Sequence, residues 1–344
     1  MKKERLFYLD FVRAMATLLI VLAHFNAVFI WTMPEKIVIT ATVGGIYIGD
    51  VGVYLFLIIS GAALMHVYRE RLPVAEFYKK RFLSIYPMFW IAFVGCFLIQ
   101  FYINRGIPQG IPKYKIIESI LAVDRYTMLF GSSNFSIVGE WFLGFIILFY
   151  LIFPLLRKWM IASPVSLCVV TVSCWIACAI WKVPHYEETL PALLPGILFG
   201  MYFSRGSGKV KWPVAAGGLG AIIVCSFMPY TWEDTSRSLV VAVSIFLIFV
   251  WCSEYIRWIP FRRICAWVCK YSYAIFIIHH VIILWITTSV DLTALSRGDV
   301  WLLFLFCCCV IFIAAYFLKF VHDGILGFFI VRDTKKQIAE NERK

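Results

Sequence analysis

Charge is scarce in this chain. Asp, Glu, Lys and Arg make up 15% of its 344 residues and hydrophobic side chains 62%, against about 25% and 45–50% in a soluble globular domain. That balance excludes a water-soluble fold, because too little polar surface remains to cover a packed core. Carboxylates are scarcer still, 20 against 32 basic residues, which leaves a net charge of +12. No internal repeat, low-complexity linker or strand-like alternation is visible, so a solenoid, a tethered multidomain chain and a β-barrel are all disfavoured. No cysteine pair has metal-ligand spacing with histidine nearby. The 11 cysteines fall almost entirely in apolar runs, Cys307, Cys308 and Cys309 among them, and read as small packing residues. The first apolar run, 6–31, exceeds a signal-peptide core and ends without a small-x-small cleavage site, so it is expected to remain as a helix.

What is present is a series of apolar runs, each near the roughly 20 residues that a helix needs to cross about 30 Å of hydrocarbon. They lie near 6–31, 46–67, 82–103, 137–156, 160–181, 190–203, 212–228, 238–254, 266–289 and 300–321. The sixth is short and holds Pro195 and Gly196. The expected fold is all-α: a polytopic bundle of about ten transmembrane helices in one domain (1–332), with a short polar tail (333–344). With the N-terminus inside, the inner segments carry 24 of the 32 basic residues and the outer ones eight. The positive-inside rule therefore puts both termini in the cytoplasm, with the chain multi-pass in the cell membrane. The net charge is thereby explained by the bilayer, and nucleic acid, which needs a soluble basic domain, is excluded as a partner. The segment 104–136 is the longest outside a span and reads as an outer lid or acceptor-facing loop.

Ionisable residues inside spans are expensive, and each is a functional candidate. The first span holds Asp10, Arg13 and His24, and the eleven-residue step from Arg13 to His24 returns to nearly the same helix face, about 16 Å further along the axis. That stripe must face protein or water. Arg13 can pair with Asp10 or hold an anionic group from the cytoplasm. His24, in the outer half, suits proton removal from a hydroxyl, or a packed interhelical hydrogen bond. Glu140 opens the fourth span near the depth of His24, where it can orient that imidazole or sit in interfacial water beside Trp141. His279 and His280 fall midway along the ninth span, and at least one should face the interior. His66 and His322 end spans and read as interfacial, and His185 as solvated beside Glu187 and Glu188. The inner loop 68–81, YRERLPVAEFYKKR, can bind lipid headgroups or the phosphates of a nucleotide-bearing donor.

Five stretches match a known pattern in order: Leu9-Asp10 with Arg13-x10-His24; VYLFLIISGAAL ending at Ser60-Gly61; FYKKRFLSIYPMF; GEWFLGFIILFYLIFPLL with Trp141; and YSYAIFIIHH with Ser272, Tyr273 and His279. With these the chain resembles the membrane-bound acyltransferase 3 family over nearly its whole length. The resemblance implies O-acylation of a carbohydrate or cell-envelope glycan from acyl-CoA, acetyl-CoA foremost, with no metal. It makes His24 the base and Arg13 and Arg81 donor-binding; Glu140 is the candidate partner of His24 from its depth alone, and Lys79 and Lys80 can supply charge to the donor site beside Arg81. Asp10, Ser60, Trp141, Ser272, Tyr273 and His279 would support substrate. The family often shows Arg-x-x-Arg at the third-helix entrance; here the second position is Ser84. Some members carry a fused hydrolase-like domain, for which this length leaves no room, so direct transfer or hand-over to a partner is expected. The expected partners are the bilayer and a glycan or lipid-linked sugar acceptor, with a homo-oligomer or glycan-assembly partner compatible. The rival class is a transporter or flippase using the same Arg, His and Glu as a relay. A scaffold role leaves Arg13 and His24 unexplained.

Overall fold

A computed structural model describes residues 6–103, 105–106, 111–124, 126, 135, 137–138, 140–181, 189–206, 208–228 and 234–341; the side chains of Glu140, Trp141, Ala179, Asp234 and 329–341 fall outside that description. Among the described residues it is a helical bundle, with 81% helix in eleven α-helices. These are α1 (Phe7–Ala27), α2 (Ile48–Tyr68), α3 (Val74–Ile103), α4 (Lys115–Leu121), α5 (Glu140–Ala162), α6 (Pro164–Ile180), α7 (Leu190–Arg205), α8 (Trp212–Phe227), α9 (Asp234–Tyr255), α10 (Ile259–Thr288) and α11 (Arg297–Asn341). Seven of them, α1, α2, α3, α5, α9, α10 and α11, are long and apolar enough to cross a membrane, and α6 and α8 are shorter apolar helices. Large apolar side chains such as Leu98, Phe101, Val165, Leu302, Phe306 and Phe317 lie exposed on outer helix faces, as a surface facing lipid requires. Trp31, Trp181, Trp212 and Trp258 are exposed at or just beyond helix ends, the level of an interfacial aromatic belt.

Two elements depart from the sequence reading, and the polar tail, which reads as a helix end, is helical. The helix expected from 82 begins at Val74, because Pro73 can start a helix but Val74–Arg81 contains nothing to stop one. The last two turns of the presumed inner loop are therefore helical, and they place Phe77, Arg81, Ser84 and Ile85 on one face. The last helix continues through 332 to Asn341, so its backbone carries no break at the expected tail boundary. Finally, Thr42–Val43 and Ile46–Tyr47 form a small antiparallel hairpin around Gly44 and Gly45, which have φ of 60° and 73°; positive φ at both central residues of a two-residue turn favours glycine.

The centre of the bundle is α2, which packs most extensively against α7 and α1. The stretch expected as the sixth span, with Pro195 and Gly196, is the 16-residue helix α7, and its glycines explain its place. A Cβ on Gly200 would lie 1.9 Å from the Ile58 carbonyl oxygen, and one on Gly61 would lie 2.1 Å from that of Ile197. The two backbones thus touch through Gly196-x3-Gly200 on one side and Gly61 on the other, the close approach that small residues permit in a bilayer. Gly200→Ala must push α7 away, costing about 1–3 kcal/mol or more. The expected result is a lower thermal unfolding midpoint in detergent than that of Gly217→Ala, where a Cβ meets nothing within 4 Å.

The α1–α2 connection is also tied down. Buried Asn26 donates to the Val38 and Thr40 carbonyls at 2.9 and 3.0 Å and accepts from Val38 N at 3.0 Å. Tyr47 donates to the Ala23 carbonyl at 2.5 Å; burial, with the Asp50 charge, pushes its phenol up to about 12, so it remains a donor. This connection closes over the end of α1 that carries His24.

Candidate active site

Two groups of side chains meet along α1 at two levels, joined by α10. At the first level Cys269 of α10 lies between Asp10 and Arg13: its thiol donates to Asp10 Oδ1 at 3.3 Å, and Arg13 Nη1 donates to its sulfur at 3.7 Å. Beside them is a cavity of about 270 Å³ among α1, α2, α3, α5 and α10. Arg13, Ser60, Arg81, Ser84, Ser272 and Tyr273 supply its polar wall, and Phe56, Phe142, Tyr150 and Phe276 much of its apolar wall. Arg81 stands with its guanidinium carbon 5.9 Å from the Phe77 ring centroid and 5.6 Å from that of Tyr150, a cation–π setting. Its Nε is buried and has no hydrogen-bond partner among the described residues. A buried donor without a partner costs about 1–3 kcal/mol, more when charged, and a ligand anion or carbonyl recovers that energy. Tyr273 donates to the Ile85 carbonyl at 3.0 Å and Ser272 to the Cys269 carbonyl at 2.9 Å, so the serine and tyrosine are held in place against α3 and α10.

At the second level His24 faces two histidines of α10. The ring centroids of His24 and His279 are 4.6 Å apart at 87°, and those of His24 and His280 are 5.3 Å apart at 84°. The Nδ1 of His24 lies 2.9 Å from the Ile20 carbonyl. A carbonyl can only accept, so Nδ1 carries the hydrogen and Nε2 keeps its lone pair. The same logic holds for His279, whose Nδ1 is 2.7 Å from the Phe276 carbonyl and 3.2 Å from that of Ile275, and whose Nε2 is buried without a partner. The two levels connect through Phe276. Its ring lines the cavity, packs 5.2 Å from Phe142 and lies 6.0 Å from the His279 ring. No group of three or more His, Cys, Asp or Glu among the described residues has an arrangement that could hold a metal ion.

The structure thus brings together Arg13, Arg81, Ser60, Ser272 and Tyr273 in one cavity, and His24 with His279 outside its lining, behind the Phe276 ring. It leaves Lys79 and Lys80 outside: both are exposed, and Lys80 pairs with Glu76 at 2.6 Å. Asp10 is buried behind Arg13 and does not line the cavity. Glu140 heads α5 in backbone position, but its side chain and that of Trp141 lie outside the described residues, as do His185, Glu187 and Glu188 altogether. Of the interfacial histidines, His322 Nδ1 is 2.9 Å from Asp323 Oδ1. Sequence reading missed Ser84, Tyr150, Phe276 and Cys269 as site residues. The i, i+3, i+4 spacing of Arg81, Ser84 and Ile85 was the signal for the first; Tyr150 and Phe276 are lost among apolar neighbours.

The profile of the acyltransferase domain of the acyltransferase 3 family matches residues 6–320. The chain belongs to the acyltransferase 3 family. In this acyltransferase the match spans both levels, from the start of α1 into α11. No curated protein and no solved structure matched it.

Proposed function

We propose that this membrane acyltransferase moves an acyl group, acetyl foremost, from acyl-CoA on the cytoplasmic side to a hydroxyl of a carbohydrate or cell-envelope glycan on the other side. The observation that carries the reading is a cavity with two guanidinium groups, one holding a buried Nε–H without a partner among the described residues, whose Phe276 wall lies against the His279 ring that His24 faces, with the His24 Nε2 keeping its lone pair. Guanidinium groups suit the phosphates or carbonyls of such a donor. The acceptor O–H gives its proton to His24 Nε2 as the oxygen attacks the thioester carbonyl. The carbon–sulfur bond then breaks, and the CoA thiolate takes the proton back from the imidazolium. Glu140, two residues ahead of Phe142 on α5, is proposed as the carboxylate that stabilises that imidazolium. Lys79 and Lys80, exposed at the start of α3, are proposed to draw the donor phosphates toward the cavity mouth rather than to hold them.

Ten crossings with both termini in the cytoplasm belong to this reading, and the relative directions of two helix pairs are those that alternating crossings require. On α1 and α10, Arg13 meets Cys269 and His24 meets His279, so these helices run parallel, as first and ninth spans must. On α2 and α7, Tyr54 reaches the Ala192 carbonyl and Arg69 reaches that of Arg205, again parallel, as second and sixth spans must be.

The test is incubation of the purified protein in nanodiscs with labelled acetyl-CoA and glycan fractions. Acceptor-dependent release of CoA with label on the glycan is the expected result; vectorial movement of a lipid-linked sugar with no CoA release under any condition would favour a transporter instead.

A further inference from the structure

A second cavity, larger than the first, opens at the end of the bundle where α1 begins and α2, α7 and α9 finish. Its volume is about 580 Å³, within the range of about 300–1,000 Å³ typical of small-molecule sites. It shares no lining residue with the Arg13–Arg81 cavity. On α1 the two are fed by Tyr8 and Arg13, five residues and therefore about 140° apart around the helix, so they lie on different faces. The reaction proposed above uses none of this second site.

Its chemistry is specific. Lys209 and Arg262 supply two cations, His66 an imidazole and Glu254 one carboxylate, while Phe7 and Val250 add apolar wall. Arg262 is anchored, its guanidinium carbon 4.0 Å from the Phe7 ring centroid and its Nη1 3.4 Å from the Ile256 carbonyl. Two hydroxyls in the wall are buried without a hydrogen-bond partner: the phenol of Tyr8, a residue only 8% exposed, and Ser204 Oγ. Buried hydroxyls are normally satisfied, and two in one wall beside two cations point to a ligand that carries several acceptor oxygens. Gly208, at φ 66°, lets the loop after α7 turn against the Tyr8 ring, which is 3.8 Å from where a Cβ would stand.

We propose that this cavity is a second ligand site, taking a phosphorylated organic molecule with its phosphate on Arg262 and Lys209 and its remaining polar atoms on Tyr8 and Ser204. A bare phosphate would leave most of the volume unfilled. Two sources offer this chemistry on the cytoplasmic side assigned above: a soluble nucleotide and the headgroup of an inner-leaflet phospholipid.

The experiment uses full-length, delipidated protein in detergent and measures the Kd of two probes, uridine 5′-monophosphate, which is no part of CoA, and a short-chain phosphatidylglycerol. Saturable binding of either probe, weakened at least tenfold by Arg262→Gln, recovered by Arg262→Lys and unchanged by Arg13→Gln, is the expected result, and the probe that binds names the source. Lys209→Gln and Tyr8→Phe provide the same reading should Arg262→Gln unfold. Absence of saturable binding by both probes overturns the proposal, and so does binding weakened by Arg13→Gln, which would move the ligand to the other cavity. Neither result bears on acyl transfer, whose own test is acceptor-dependent CoA release.

Discussion

His24→Ala lowers acyl transfer by about 10²–10⁴-fold, the usual yield of a positioned general base, with membrane abundance and thermal midpoint near wild type. The small structural cost follows from the surroundings. His24 is half-buried, and its one protein hydrogen bond goes to the Ile20 carbonyl of its own helix. That carbonyl already accepts within the helix, so losing the imidazole orphans no buried backbone group. The donor KM should hardly change, because Arg13 lies about 16 Å away along α1 and Arg81 is on another helix, α3. His24→Gln is expected to be as inactive, since an amide keeps the size and the hydrogen bonding but cannot take a proton. Initial rates of label transfer at saturating donor, normalised to protein by quantitative blotting, check this; activity near wild type in either variant removes His24 from the chemistry.

Arg81→Ala is expected to raise the donor KM by about ten- to a hundredfold, the equivalent of one charge-assisted hydrogen bond of about 1.5–3 kcal/mol, with kcat changed far less. The guanidinium is half-buried over Phe77 and Tyr150, and its Nε–H has no partner to lose among the described residues. Removing it therefore subtracts from the ligand more than from the fold. Arg81→Lys should recover only part of the loss, because an ammonium replaces a planar fork with a point charge. Lys80→Ala provides the contrast. Its ion pair with Glu76 is exposed, and such pairs contribute little, so a KM within about threefold of wild type is expected at moderate salt. Equal losses at positions 80 and 81 would mean that general positive charge at the membrane surface, and not the cavity, binds the donor.

The spans were legible because hydrocarbon leaves little choice: a run of about 20 apolar residues has to be helical. Arg13 and His24 were legible for the same reason, as charges and near-charges that lipid rejects, and their eleven-residue spacing already put them on one face. What the spacing could not give was the neighbour. Cys269 and His279, ten residues apart on α10, meet Arg13 and His24 in parallel register, and only tertiary packing sets that register. The limit of α3 was hidden because a basic, polar stretch reads as loop until its helix continues, and with it went the chance to see Ser84 in the cavity wall. The position where the family often carries a second arginine thus lies in the wall of the Arg13–Arg81 cavity in this member, which leaves Arg13 and Arg81 as its two guanidinium groups. Pro195 argued against a sixth helix, yet the glycines after it let α7 sit against α2 closely enough to hold it.

In the proposed mechanism one donor spans both levels of α1. The most direct test is a structure by electron cryomicroscopy of His24→Ala in nanodiscs with acetyl-CoA. The account predicts density between Arg13 and Arg81, continuing past Phe276, with the thioester carbonyl close enough to the His24 position for an intervening acceptor hydroxyl to make a near-attack contact of about 3–3.5 Å. Acetyl-CoA seated elsewhere, with its thioester remote from residue 24, would contradict it.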